Sequence, residues 1–232
     1  MKIFFISVLM ALFSMLNGSA VIGLVQKVNG RVKVKSEGSF KKSRVKKGFE
    51  IKSGDLISTS KKGTAVLKLV DGSNIVLDVS SSIYFKTPSD AEQTEGKIYY
   101  KITSRNAKNS LKIKTPFAII GIKGTTFVVN ATGKASVKLQ EGLIGVKSIK
   151  EDFKLYRKSV MAEYDKYISS QESEFKKYKS KQKKGVVEIT KEFDLHAGNT
   201  ISFDNNEVDE KSFSDNDKKE FERFKKMMEI NN

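Results

Sequence analysis

The sequence predicts a mainly β protein: an antiparallel β-sandwich or roll of many short strands, with a long inserted amphipathic helix and a short C-terminal helix. Three observations carry this expectation. Residues 21–149 alternate apolar and polar positions in short runs, with turn residues about every 8 to 12 positions, as in a sandwich or barrel. From Ile149 the apolar spacing changes to three and four residues, the helical period. After Gly185 strand alternation returns, and the chain closes on a second helical run.

The first 20 residues stand apart. Lys2 is a short positive start, Ile3 to Leu16 is an apolar run of about 14 residues, and Asn17-Gly18-Ser19-Ala20 supplies small residues. A bilayer span needs roughly 20 apolar residues, so the run reads as a cleavable signal peptide, cut after Ala20, directing the chain to the periplasm. No membrane span is expected once it is cut.

The clearest strand pair is Thr64–Val70 and Asn74–Val79 around Asp71-Gly72-Ser73. Ala65, Leu67 and Leu69 alternate with Val66 and Lys68, and Ile75 and Leu77 with Val76 and Asp78, so one face enters a core and the other stays partly wet. Asp78 is expected on the wet face. Gly72 supplies the positive φ of a tight reversal. Val28–Val34 reads as a bend followed by an alternating strand and Ile51–Ile57 as a turn feeding another, and strands are also read at Lys97–Ile102 and Leu111–Lys114, the last ended by Thr115-Pro116. Further strands are read at Thr125–Asn130 and Ser136–Gln140, which lead to Glu141-Gly142 and a strand through Val146, and then at Val186–Thr190, Phe193–Leu195 and Thr200–Phe203. Between them, Ile149, Phe153, Tyr156, Val160, Tyr164, Tyr167, Phe175 and Tyr178 form an aromatic stripe, read as a helix of about 35 residues and ~50 Å. Ser214 and Asp217 open the final helix as a weak capping box, with Phe221, Phe224 and Met228 on its apolar face.

Composition narrows the chemistry. The net charge is +16. Residues 21–149 hold 24 Lys and Arg against 9 Asp and Glu, residues 150–184 hold 11 against 6, and residues 185–232 hold 7 against 12. A basic body suggests anionic partners, and export argues against nucleic acid. The chain has no cysteine, which removes a lipid-bearing cysteine, disulfides and thiolate metal ligands. Its single histidine, His196, lies in a turn. There is no histidine pair for zinc and no glycine loop for phosphate, and Asp55 and Asp71 read as turn formers. No enzyme activity, metal or cofactor is expected.

Several motifs resemble the FecR domain: Gly54-Asp55-Leu56-Ile57-Ser58-Thr59, Gly63-Thr64-Ala65, Asp71-Gly72-Ser73, Ile113-Lys114-Thr115-Pro116-Phe117-Ala118, Gly121-Ile122-Lys123-Gly124-Thr125-Thr126-Phe127-Val128, Glu141-Gly142-Leu143-Ile144-Gly145-Val146 and Leu195-His196-Ala197-Gly198. Where the family usually has arginine this chain has Lys123, which lacks the bidentate fork. Gly121 and Gly124 are read as bracketing a sharp reversal. The resemblance implies the periplasmic half of a FecR-type sensor, here as a stand-alone exported copy without the family's cytoplasmic part.

The expected organisation is a signal peptide (1–20), a FecR-like β-domain (21–149), an inserted amphipathic helix (150–184), closing strands (185–213) and a C-terminal helix (214–232). The insertion is read as interrupting a hairpin between Leu143–Val146 and Val186–Ile189. The expected function is a non-enzymatic periplasmic protein–protein interaction module. The alternative is a structural component of an envelope assembly such as a filament sheath. Partner contacts are expected at Phe153, Tyr156, Tyr164, Tyr167, Phe175, Tyr178 and Lys123, because aromatic residues favour interfaces. The partner is expected to be another envelope protein, with an anionic glycan or a membrane surface as weaker candidates resting on charge.

Overall fold

The computed structural model describes residues 19–103, 111–157 and 187–229. In chain order the strands are β1 (Val21–Asn29), β2 (Val32–Lys35), β3 (Ser43–Arg44), β4 (Glu50–Lys52), β5 (Leu56–Thr59), β6 (Thr64–Leu69), β7 (Asn74–Leu77), β8 (Ser82–Thr87) and β9 (Asp90–Glu95). They continue with β10 (Lys97–Lys101), β11 (Leu111–Lys114), β12 (Ala118–Asn130), β13 (Ser136–Ser148), β14 (Phe153–Arg157), β15 (Val187–Thr190), β16 (Glu192–His196), β17 (Asn199–Asp204) and β18 (Glu207–Ser212). One helix follows, α1 (Asp215–Glu229).

The pairings form one curled sheet with two halves. The first half runs β4-β1-β6-β7-β10 to the C-terminal end of β12, then the N-terminal end of β13, β17, β18, β14 and β15. The second runs β3-β2-β5-β8-β9-β11 to the N-terminal end of β12, the C-terminal end of β13, and β16. β12 and β13 therefore belong to both halves. The inward residues of the two halves, from Val25, Leu67, Leu77 and Tyr100 to Ile57, Ile83, Ile113 and Ile144, make one buried cluster. The sheet is mixed rather than purely antiparallel, since β9–β11 and β14–β18 pair in parallel.

The β6–β7 hairpin forms as the alternation predicts, with Gly72 at φ 86° and the Asp71 carboxylate accepting from the Ser73 backbone N–H. Four expectations are corrected. First, Gly121 and Gly124 bracket no reversal. β12 passes through both positions and shifts register between Lys123 and Thr126, with Gly124 at φ 59°. The extra residue flips the inward parity from Ile120 and Ile122 to Phe127 and Val129, which lets one strand serve both halves of a curled sheet.

Second, the expected helix does not start near residue 150. Phe153–Arg157 is β14, with Phe153 and Leu155 in the core. Residues 158–186, with Val160, Tyr164, Tyr167, Phe175 and Tyr178, lie outside the described residues, as does the apolar run before Ser19. Third, the hairpin around that segment is β14–β15. β13 instead pairs with β16 and β17. Fourth, Asp78 does not face solvent. It is buried at 8% exposure and ion-paired with Arg223 of α1, because the face expected to be wet is covered by that helix.

Candidate functional site

The two outer faces of the sheet differ in what covers them. On the first half, Val66, Val76, Tyr99 and Val128 form a second buried cluster with Phe221 and Phe224 of α1, edged by Phe213, Met227 and Met228. Tyr99 stacks on Phe224 with centroids 5.5 Å apart and meets Phe221 edge-on at 5.9 Å. The capping box forms: the Ser214 hydroxyl and backbone N–H both donate to the Asp217 carboxylate, and the Asp217 N–H donates back to Ser214 Oγ.

Charges fix the helix laterally. Lys138 of β13 lies 2.6 Å from Asp217 and 2.7 Å from Glu220, and Lys97 of β10 also pairs with Glu220. Burial would raise both carboxyl pKa values, but hydrogen bonds from Lys138, with Ser214 to Asp217 and Lys97 to Glu220, outweigh it and hold both below the usual carboxylate range. Burial alone would lower Lys138, yet its bonds to Asp217 and Glu220 keep it above its ordinary value. Burial, with Glu141 and Glu222 nearby, pushes the Tyr99 hydroxyl up to about 12. This face is occupied by the chain's own helix.

Among the described residues, the outer face of the second half has no such cover. At its centre Gly121 of β12 and Gly145 of β13 are register partners. Their inward neighbours Ile120, Ile122, Ile144 and Val146 are at 1% exposure or less, so both glycines belong to the outer side. The cross-strand row is Asp90, Lys112, Gly121, Gly145 and Asp194. Ile119, Lys147 and Glu192 bound it on one side, and Leu143 and His196 on the other. The result is a trough across the strands, part of a shallow cleft of about 530 Å³ with Lys112 and Asp194 along it. Leu143, on its rim, is 43% exposed.

These two glycines differ from the other motif glycines. Gly54, Gly72, Gly124, Gly142 and Gly198 all have positive φ, where a side chain is strained, and at Gly63 a Cβ would lie 2.4 Å from the Arg31 carbonyl oxygen. Gly121 and Gly145 do not have positive φ. A Cβ on Gly121 would meet nothing nearer than the Gly145 carbonyl oxygen at 3.9 Å, and one on Gly145 nothing nearer than Asp194 Oδ1 at 3.8 Å. Neither backbone conformation nor crowding demands glycine at this pair.

The residues expected to meet a partner are placed apart. Phe153 is in the core at 2% exposure, edge-on to Phe193 at 5.6 Å and tilted against Phe203 at 5.9 Å. Tyr156 is half-buried in β14, in register with Val187 and Asp209. Spacing by three unites two residues on a helix but puts them on opposite faces of a strand, so Phe153 and Tyr156 make no common stripe. Lys123 is in β12, in register with Leu143. Tyr164, Tyr167, Phe175 and Tyr178 lie outside the described residues. His196 is exposed beside the trough, and Asp55 accepts from the Lys52 N–H as a turn former does. Among the described residues no group of three or more His, Cys, Asp or Glu could hold a metal, and no helix is long and apolar enough to cross a membrane. The trough escaped the sequence reading because Gly121 was taken as a turn residue, while Gly145 was placed in a strand with no partner strand assigned to it. Their even spacing from Ile119 and Lys147, one side chain apart on a strand, was the available signal.

Comparison with known proteins gives one family. Residues 55–145 match the family model described as FecR protein, a span that includes both trough glycines. No curated protein matches. Two crystal structures, at 1.65 and 2.50 Å resolution, of a protein from Parabacteroides distasonis ATCC 8503 provisionally described as an anti-sigma factor are similar, with TM-scores of 0.46 and 0.45. Each is 14% identical and the match covers 68% of this chain. This chain spans 59% of the length of those structures.

Proposed function

We propose that this chain, which carries a FecR domain over residues 55–145, is a non-enzymatic protein-interaction module of the periplasm, and that its partner docks in the trough at Gly121 and Gly145. The carrying observation is that these two facing glycines have ordinary φ and room for a side chain. Glycine inside a strand weakens it, and one common reason to keep it is close approach of another backbone. The occupant that fits is an extended segment of a partner protein lying across the strands, with an acidic group toward Lys112 and a basic group toward Asp194. The apolar rim of Ile119 and Leu143 gives that segment something to desolvate. Tyr156, Tyr164, Tyr167, Phe175 and Tyr178 form a second proposed contact, carried on and beside the connection between β14 and β15.

The test is crosslinked capture from intact cells with the native chain and with Gly121→Val/Gly145→Val, identifying captured proteins by mass. Valine suits a strand, so the variant is expected to melt within a few degrees of the native chain while losing the partner. Retention of the same partner by a folded variant refutes the trough as the docking site. A captured transporter or regulatory protein identifies a signalling module. Filament or wall components in near-stoichiometric amount identify the structural alternative.

A further inference from the structure

The segment from Val21 to Lys62 holds 12 Lys and Arg against three acidic residues, Glu37, Glu50 and Asp55. The three acids line one cleft with Lys52 and Ser53. The β2–β3 hairpin is thereby left cationic. Lys33 is the register partner of Arg44, and like charges directly opposite each other destabilise a strand pair. Lys35, two residues along β2, shares that face. Arg31, Lys33, Lys35, Lys41, Lys42, Arg44, Lys46 and Lys47 are all exposed, and none is ion-paired among the described residues.

Phe40 sits on the loop that joins the two strands and is 100% exposed. The loop is an ordered turn. The Ser39 N–H donates to the Ser36 carbonyl, the Lys41 N–H donates to Ser39 Oγ, and the Ser39 hydroxyl donates to the Lys41 carbonyl. These bonds brace the backbone on either side of a phenyl ring that packs on nothing. Isolated exposed apolar residues are ordinary on protein surfaces. This one stands on a loop followed by two lysines, above a like-charged strand pair with no counter-ion among the described residues.

We propose that the β2–β3 hairpin is a peripheral membrane contact, in which Phe40 enters the headgroup–acyl boundary of an anionic bilayer while Lys41, Lys42, Lys33, Lys35 and Arg44 meet lipid phosphates. An apolar wedge among cations is the arrangement that interfacial binding uses. A soluble polyanion would satisfy the charges and leave the ring in water, so the ring decides for the bilayer. The hairpin lies at one margin of the second half of the sheet, with β5, β8, β9 and β11 between β2 and β12. Membrane and trough are therefore free to be occupied together, and the inference stands independently of the docking proposal.

The chain has no tryptophan, so Phe40→Trp is a unique reporter at a position whose side chain touches nothing. In the full chain, this variant is titrated with phosphatidylglycerol vesicles, phosphatidylcholine vesicles and inorganic polyphosphate. The expected result is a blue-shifted emission and co-sedimentation with phosphatidylglycerol only, weakened by salt. Adding Lys41→Glu/Lys42→Glu should lower vesicle affinity by roughly fivefold or more per lysine with unchanged melting. No shift with phosphatidylglycerol, an equal shift with phosphatidylcholine, or a phosphatidylglycerol titration midpoint unmoved by the double charge reversal would overturn the proposal. Polyphosphate binding as tight as vesicle binding, without a shift, would assign a polyanion site and overturn it too.

Discussion

A glycine in a strand can be held by its backbone angle and by crowding or be free of both constraints, and β13 carries one of each case. Gly142 has φ 88°, and a Cβ there would lie 2.6 Å from Thr125 Cγ2 and 2.7 Å from the Gly124 carbonyl oxygen. Gly145, three residues on, has an ordinary φ and open space. Gly142→Ala is expected to destabilise the fold by about 1–3 kcal/mol, from backbone strain together with the clash. Gly145→Ala is expected to be neutral or to stabilise by up to ~1 kcal/mol, since it restricts the unfolded chain without straining the folded one. Urea melts of both variants check this, and equal losses would remove the distinction on which the trough rests. The motif Glu141-Gly142-Leu143-Ile144-Gly145-Val146 was legible as family sequence, yet the two roles were not. A glycine's φ is set by the register of its partner strand, and here that partner, β12, carries a bulge.

At the scale of elements, α1 was read almost completely from sequence while its consequence was not. Its cap and its apolar residues are local and periodic. What it covers depends on the sheet, so Val66, Val76 and Asp78 were assigned to a wet face. Its docking should depend on acid. Asp217 and Glu220 titrate below the usual carboxylate range in the folded chain, whereas unfolded carboxyls protonate near pH 4. The stabilisation is therefore full above about pH 5 and is lost as pH falls through the lower folded values. Removing the shared cation with Lys138→Met should flatten the acid-side decline in melting temperature between about pH 5 and 3; an unchanged slope would assign that decline to other groups. The segment after β14 was misjudged for a related reason. Phe153 and Tyr156 fit both a helical period and an alternating strand that opens with a core phenylalanine. The antiparallel pairing of β14 with β15 and its parallel pairing with β18, both distant along the chain, decide between them. Replacing residues 158–186 with a short Asn/Gly linker should leave the β14–β15 hairpin closed and the strand spectrum by circular dichroism intact. A deletion starting at Phe153 removes two core side chains worth several kcal/mol and should unfold the domain.

For the molecule as a whole, sequence periodicity announces strands but not their neighbours. The many short strands and the β6–β7 turn were visible because both are local signals. The pairing of β1 with β6, of β13 with β16 and β17, and the parallel contact of β9 with β11 join residues whose match is written nowhere nearby. The resulting topology makes β12 and β13 common to both halves of the sheet, with inward residues of each end in one core. A chain built this way has no boundary at which one half can melt while the other keeps its edge: losing either half strips hydrogen bonds from the same two strands. Unfolding should therefore be cooperative across the sheet. Tyr84 on β8 and Tyr156 on β14 lie in opposite halves and are both half-buried, so Tyr84→Trp and Tyr156→Trp give one fluorescent reporter in each, in a chain with no other tryptophan. Their urea midpoints should coincide with each other and with the loss of strand signal, as a two-state transition requires. Midpoints separated beyond the mutational offset, corrected by each variant's own circular dichroism curve, would show that the two halves are independent units and that the long hairpin merely bridges them.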